Sequence, residues 1–304
     1  MLVQLKFFIT CVFFISLAPV THAKTLKVVT TFTIFADITK QVAGDKAEVL
    51  SITKAGAEIH NYQPTPKDII KVKGADLILS HGMNLELWFD KFYRNVKKVP
   101  RASLTQGITP LSIHGGEYNG KPNPHAWMSA NNAYIYIDNI SRALSKAAPE
   151  HAQLFNDNAE QYKAKIEKIT APFKAQIAAL AENKRWLVSS EGAFSYLARD
   201  LDLKELFIWP INADAQGTPQ QMRRVIDLIN AHDITAVFSE STVSDKPARQ
   251  IARESSASYG GVLYVDSLSL DDGPVPSYIQ LLSVTMQTIV NALTKNNVTG
   301  GDSQ

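Results

Sequence analysis

The chain has 304 residues, 45% of them hydrophobic and 20% charged, with 31 Lys and Arg against 29 Asp and Glu. That much apolar material fills one large core or two medium ones and excludes disorder as the dominant state. The net charge of +2, with no run of five or six like charges, gives no nucleic-acid or polybasic membrane footprint; 15 Gly and 14 Pro exclude collagen-like and low-complexity chains.

The N-terminus carries Lys6, an apolar run from Phe7 to Ala18, and a Thr21-His22-Ala23 end. This is the pattern of a cleavable secretory signal, with cleavage expected after Ala23. The apolar run is shorter than the roughly 20 residues of a membrane span. Cys11, the only cysteine, lies inside it and is not preceded by the small residues of a lipoprotein site. The mature chain is therefore expected to be periplasmic and soluble, with no membrane anchor, disulfide or thiolate metal site.

Beyond Lys24 short apolar runs alternate with helical stretches. Leu26–Thr31, Ala47–Thr53 and Asp76–Ser80 read as strands; Ile34–Val42 and Pro66–Lys73 read as helices, the second opened by Thr65-Pro66. Near-continuous apolar strands between helices predict a parallel sheet covered on both faces. From Pro149 to Asn183 the residues Phe155, Ala159, Tyr162, Ile166, Ile169, Phe173, Ile177 and Leu180 recur every three or four positions. That stripe predicts one long helix, with a kink near Pro172. Alternation then resumes. Trp186–Ser190, Leu206–Trp209, Thr235–Ser239 and Val262–Val265 are predicted strands, and Ala193–Asp200, Pro219–Ala231, Lys246–Glu254 and Pro276–Thr294 predicted helices. The expected fold is α/β: two similar lobes with parallel sheets joined by one long rigid helix. The expected segments are 1–23 (signal), 24–149, 150–183 (linking helix) and 184–304.

Six histidines remain after signal removal. His151 and His232, at helix ends, read as solvated. His60 sits on a loop leaving a strand, and His125 in a stiff turn between Asn123-Pro124 and Trp127 that opens a helix. Glu191 and Asp266 follow directly on predicted strands. In open parallel sheets such ends converge on the ligand crevice. Two neutral imidazoles and two carboxylates suit a divalent cation. The four lie 65, 66 and 75 positions apart with no local metal motif, so spacing alone leaves them open to a bland reading as caps and hydrogen-bond acceptors.

Seven segments carry a resemblance over essentially the whole mature chain. They are AEIHNYQPTPKDI around His60, HGMNLELWF at His81–Phe89, KPNPHAWMS around His125, SSEGAF around Glu191, INADAQGTPQQM at 211–222, FSESTVS at 238–244 and LYVDSLS around Asp266. In this order they resemble the metal-specific periplasmic solute-binding proteins of bacterial ABC importers, the cluster A group that carries manganese, iron or zinc. The resemblance implies one metal between the lobes, held by His60, His125, Glu191 and Asp266, and delivery to a permease with its ATPase. It implies no catalytic step, and a monomer is expected.

Zinc-dedicated relatives usually have histidine where this chain has Glu191, and often a long His-rich loop. Residues 112–124 hold only one histidine and one acid. A bidentate carboxylate in place of a nitrogen donor suits manganese(II) or iron(II), with zinc a competitor by raw affinity. His81, where relatives commonly carry Asn, stands outside the ligand set as either a supporting or a packed residue. Glu240 reads as positioning a ligand or turn, and His114 with Glu117 as an accessory surface pair. The competing function is a secreted zinc hydrolase using the same His/His/acid site with Glu240 as base. A surface adhesin is the third reading, disfavoured by the missing lipid anchor.

Overall fold

The structure is a computed structural model that describes residues 25–96, 98–211 and 217–295. The predicted signal and the 212–216 part of the INADAQG segment lie outside the described residues.

The first sheet is built by β1 (Leu26–Thr30), β2 (Ala47–Ser51), β3 (Leu77–Ser80) and β4 (Arg101–Ser103), in the order β2-β1-β3-β4, every pair parallel. The crossovers carry α1 (Thr33–Ala43), α2 (Pro66–Val72) and α3 (Phe89–Tyr93). Successive side chains of a strand point to opposite faces. Accordingly Val28, Leu77 and Leu79 pack in the cluster that holds Phe35, Ile38 and Val42 of α1. Their neighbours Val29 and Ile78 join Ile52, Val72, Phe89 and Phe92 on the other face. Both faces are covered, which is why these strands read as unbroken apolar runs.

Two helices then lead away from the sheet: α4 (Ala130–Ala147), capped by Ser129 Oγ accepting from Asn132 N, and α5 (Ala152–Ala178). The linking helix is shorter than predicted, ending at Ala178, and its 27 residues span about 40 Å. Phe155, Ala159, Tyr162, Ile166, Phe173 and Ile177 are buried along it, but Thr170 takes the central place assigned to Ile169. At 100° per residue, positions 169 and 170 lie about equally far to either side of the line from 166 to 173, and Ile169 flanks the core half-buried. Thr170 is accommodated because its hydroxyl donates to Ile166 O at 3.0 Å. The helix runs on through Pro172.

The second half repeats the scheme with β5 (Trp186–Glu191), α6 (Ser195–Asp200), β6 (Lys204–Trp209), α7 (Pro219–Ala231), β7 (Ala236–Glu240), α8 (Lys246–Glu254), β8 (Ser258–Leu263) and α9 (Tyr278–Lys295). Strands β5 and β6 pair in parallel, as do β7 and β8, and β5 lies beside β7. Alternation again sorts the faces: Val188 and Val237 pack with Met222, Val225 and Ile251, whereas Leu187 and Phe238 join the main core.

The last strand differs from expectation. It runs Ser258–Leu263 rather than Val262–Val265, so Asp266 lies three residues beyond its end instead of directly after it. The pair Gly260-Gly261 hid it, because glycine disfavours strands. Here glycine is required: a Cβ at Gly260 would stand 2.3 Å from the Phe238 ring, and Gly261 has φ +122° at the register shift between β7 and β8.

The main core crosses from one half to the other, with Phe32, Trp127, Phe155, Phe194, Tyr278 and Leu282 in one cluster. Polar ties add to it. Trp127 Nε1 donates to Val265 O at 2.7 Å, Leu268 N to Thr33 Oγ1 at 3.0 Å, and Tyr278 N to Asp37 Oδ2 at 2.9 Å. At about 1.5–3 kcal/mol for each fully buried large apolar side chain, packing supplies the stability. No described helix is long and apolar enough to cross a membrane.

Candidate metal centre

His60 lies in the loop between β2 and α2. Glu58 holds that loop, its carboxylate accepting from His60 N at 2.5 Å and Asn61 N at 2.8 Å. Trp88 Nε1 donates to Ile59 O at 3.1 Å from the neighbouring loop. Below it, Asp68 accepts from Thr65 N, Thr65 Oγ1 and Tyr62 Oη, which fixes the start of α2. His125 occupies the turn that leads into α4, and Asp266 the loop between β8 and α9. Thr242 Oγ1 donates to Asp266 Oδ2 at 3.0 Å.

These loops bring three side chains together. His60 Nε2 and His125 Nε2 are 3.1 Å apart, and His125 Nε2 is 3.4 Å from Asp266 Oδ1. One donor atom from each lies within 4.8 Å of the others. His125 is 0% exposed, Asp266 3% and His60 9%. Burial, reinforced by His125, lowers the His60 imidazole to about 4, so it is neutral near pH 7. Burial pushes the Asp266 carboxyl up, but its hydrogen bonds and the two imidazoles outweigh that and hold it below the usual carboxylate range. It is charged.

The tautomer of His125 is settled by Asn123. Asn123 Oδ1 accepts from His125 N at 3.0 Å and lies 3.1 Å from Nδ1, so Nδ1 carries a proton and Nε2 is the ring nitrogen turned toward His60 and Asp266. His125 Nε2 thus faces both His60 Nε2, at 3.1 Å, and Asp266 Oδ1, at 3.4 Å. Asp266 Oδ1 is buried without a hydrogen-bond partner. Imidazole nitrogen with carboxylate oxygen is a set that divalent transition metals accept.

Of the four residues expected from the sequence, His60, His125 and Asp266 form this cluster, while Glu191 is not in it. Glu191 ends β5 rather than following it, and is 6% exposed. Its backbone N–H donates to Glu240 Oε1 at 3.0 Å. Burial raises the Glu240 carboxyl to about 7, and its position is that of a support under Glu191.

The remaining histidines sort out clearly. His81 is fully buried, stacked on Phe35, with Nδ1–H donating to Gly82 O and Nε2 accepting from Tyr136 Oη, both at 2.7 Å. It is a packed residue. His151 is half-buried with its ring edge toward Phe155, contrary to the solvated reading, and His232 stacks on Trp186. His114 and Glu117 are exposed. Sequence reasoning missed Asn123, Glu58 and Thr242. Asn123 had a signal in Asn-Pro-His, where an amide two residues ahead reaches the next backbone N–H.

The family model of the zinc-uptake complex component A, periplasmic (ZnuA), matches residues 28–292. The chain belongs to the ZnuA family. It is 58% identical over 271 residues to the iron-binding protein YfeA of Yersinia pestis, covering 89% of this chain and 87% of that one. The manganese ABC transporter substrate-binding lipoprotein PsaA of Streptococcus pneumoniae is 31% identical over 282 residues, covering 90% of this chain and 91% of PsaA. Among solved structures, the Mn-bound periplasmic metal-binding protein of Candidatus Liberibacter asiaticus superposes with a TM-score of 0.83 at 45% identity, over 88% of this chain and 99% of that one. The periplasmic zinc-binding protein TroA of Treponema pallidum shares the fold, with a TM-score of 0.80 at 22% identity. Two lobes with parallel sheets and a long helix are thus the architecture of this ZnuA-family chain.

Proposed function

We propose that this chain is the periplasmic receptor of an ABC-type importer, capturing a divalent transition metal and presenting it to a permease and its ATPase. The observation that carries the proposal is the buried cluster of His60, His125 and Asp266, two imidazole nitrogens and one carboxylate oxygen drawn from loops of both halves. Relatives named as an iron-binding protein and as a manganese ABC transporter substrate-binding lipoprotein, each matched over most of its length, support it. Glu191, buried at the end of the neighbouring strand, completes the ligand set by turning its carboxylate toward the metal. The lobes are 24–149 and 184–304 with the 150–183 segment between them, and export proceeds with cleavage after Ala23 to a monomeric, unanchored protein.

Capture and release follow from the division of ligands. His60 and His125 belong to the first lobe, Glu191 and Asp266 to the second. Parting the lobes by an ångström or two strips half the donors, and the polar ties between the halves keep that motion small. A hydrolase reading of the same residues would need Glu240 as a base; that carboxylate is buried, and one of its oxygens accepts from Glu191 N.

An oxygen-rich set predicts manganese or iron as cargo and zinc as competitor. Elemental analysis of untagged protein recovered from the periplasm should find near-stoichiometric manganese or iron. Glu191→His should shift preference toward zinc in competition titrations. An unshifted preference would contradict the role given to Glu191, and protein recovered without transition metal would contradict the receptor assignment.

A further inference from the structure

Asn123 touches more than His125. It is 1% exposed and lies in the first lobe, yet its Nδ2 donates to Gly192 O at 2.9 Å and to Ser195 Oγ at 3.1 Å in the second. The orientation of the amide is fixed from both ends, since the oxygen must face His125 N and the nitrogen must face the Gly192 carbonyl. Ser195 Oγ can accept from Asn123 because it gives its own proton to Glu205 Oε2 at 2.6 Å. The backbone is tied as well: Tyr196 Oη donates to Asn123 O at 2.7 Å and accepts from Leu111 N at 2.9 Å. One buried amide thus joins a ligand imidazole of the first lobe to the 192–196 turn that directly follows Glu191.

We propose that Asn123 is a positioning residue with two separable tasks. Its Oδ1 selects the Nδ1–H tautomer of His125 and aims Nε2 at the metal. Its Nδ2 latches that imidazole to the Gly192–Ser195 turn, so that the lobes cannot part without loosening a ligand. Metal release and lobe opening then share one hydrogen-bonded chain, from His125 through Asn123 and Ser195 to Glu205. An amide that merely filled a loop would need either the His125 contacts or the cross-lobe contacts, not both.

The inference rests on the metal site proposed above and is tested separately from it. Nitrogen-15 spectra of the histidine rings in metal-free protein report the His125 tautomer, and stopped-flow chelation of Mn(II)-loaded protein reports release. Asn123→Ala should move His125 toward the Nε2–H tautomer and weaken manganese binding by about 10- to 100-fold. Asn123→Asp keeps an acceptor for Nδ1–H but offers none of the donors. It should restore the tautomer while release stays faster than in the native chain. Ser195→Ala should leave the tautomer and the association rate unchanged and speed release by about five- to tenfold. A native tautomer in Asn123→Ala, or a native release rate in both Asn123→Asp and Ser195→Ala, would overturn the proposal. Should Asn123→Ala not fold, the Asp and Ser195 variants carry the test. If His60→Ala still binds metal normally, the site itself is misplaced. If it loses metal while the Asn123 and Ser195 variants behave as native, only the latch fails.

Discussion

His125→Ala and His60→Ala are each expected to abolish the stabilisation that metal gives this protein. A ligand bound only by the folded state at a thousand times its Kd adds about 4.1 kcal/mol to unfolding. Native protein in such an excess of manganese(II) should show that gain in urea unfolding, and the two variants almost none. Removing either histidine takes away one of two nitrogen donors and leaves the Asp266 carboxylate, which already lacks a partner for Oδ1, with a weaker site. Metal-free unfolding curves of the variants separate loss of metal from loss of packing, since both rings are buried. Native-sized stabilisation in either variant would place the metal elsewhere.

The second large effect is a loss of stability in acid, traced to His81. Burial, the leading cause, lowers this imidazole from an ordinary value near 6.5 to about 3, and the hydrogen bond to Gly82 O opposes the shift only in part. The unfolded chain therefore takes up a proton below pH 6.5 that the folded chain refuses until about pH 3. Stability is whole above pH 6.5 and falls as the pH drops from there toward 3. The loss reaches at most about 4–5 kcal/mol. His60, lowered to about 4, acts in the same direction over the upper part of that window. In His81→Asn the fall of the urea midpoint between pH 7 and pH 4.5 should be roughly halved, His60 still contributing its share. At pH 7 that variant should be less stable by about 1–3 kcal/mol, because Tyr136 Oη loses its buried acceptor. An acid profile unchanged by the substitution would mean that another buried base sets it.

The order of elements was legible because most strands in both halves are covered on two faces, so they appear as Val-, Ile- and Leu-rich runs between helical stripes. Where the pattern failed, tertiary contact had overridden local preference. The strand Ser258–Leu263 contains two glycines, explained by the Phe238 ring above Gly260 and by the positive φ of Gly261 at the register shift. The three-residue β4 and five-residue α3 are too short to carry a period. Helix α4 was recognised only at its opening, although Tyr136, Ile137, Ile140 and Leu144 have helical spacing.

The candidate site divides in the same way. His60, His125 and Asp266 were legible from their places beside strand ends and in matching segments, and the fold gathers them. The side chains that aim them were not legible. Asn123 works across 69 and 72 positions of sequence to Gly192 and Ser195, and Trp127 across 138 positions to Val265 O. No local pattern encodes such contacts. His81, left outside the ligand set as a supporting or a packed residue, is the packed one: it faces the core instead of the crevice because Phe35, Trp127 and Tyr136 surround its ring.

The most direct measurement is an anomalous difference map from crystals of the protein grown with manganese(II). One strong peak is predicted within coordination distance of His60 Nε2, His125 Nε2 and an Asp266 carboxylate oxygen, with the Glu191 carboxylate turned onto it from β5. A peak away from these side chains, or none at saturating metal, would contradict a metal held between the two lobes.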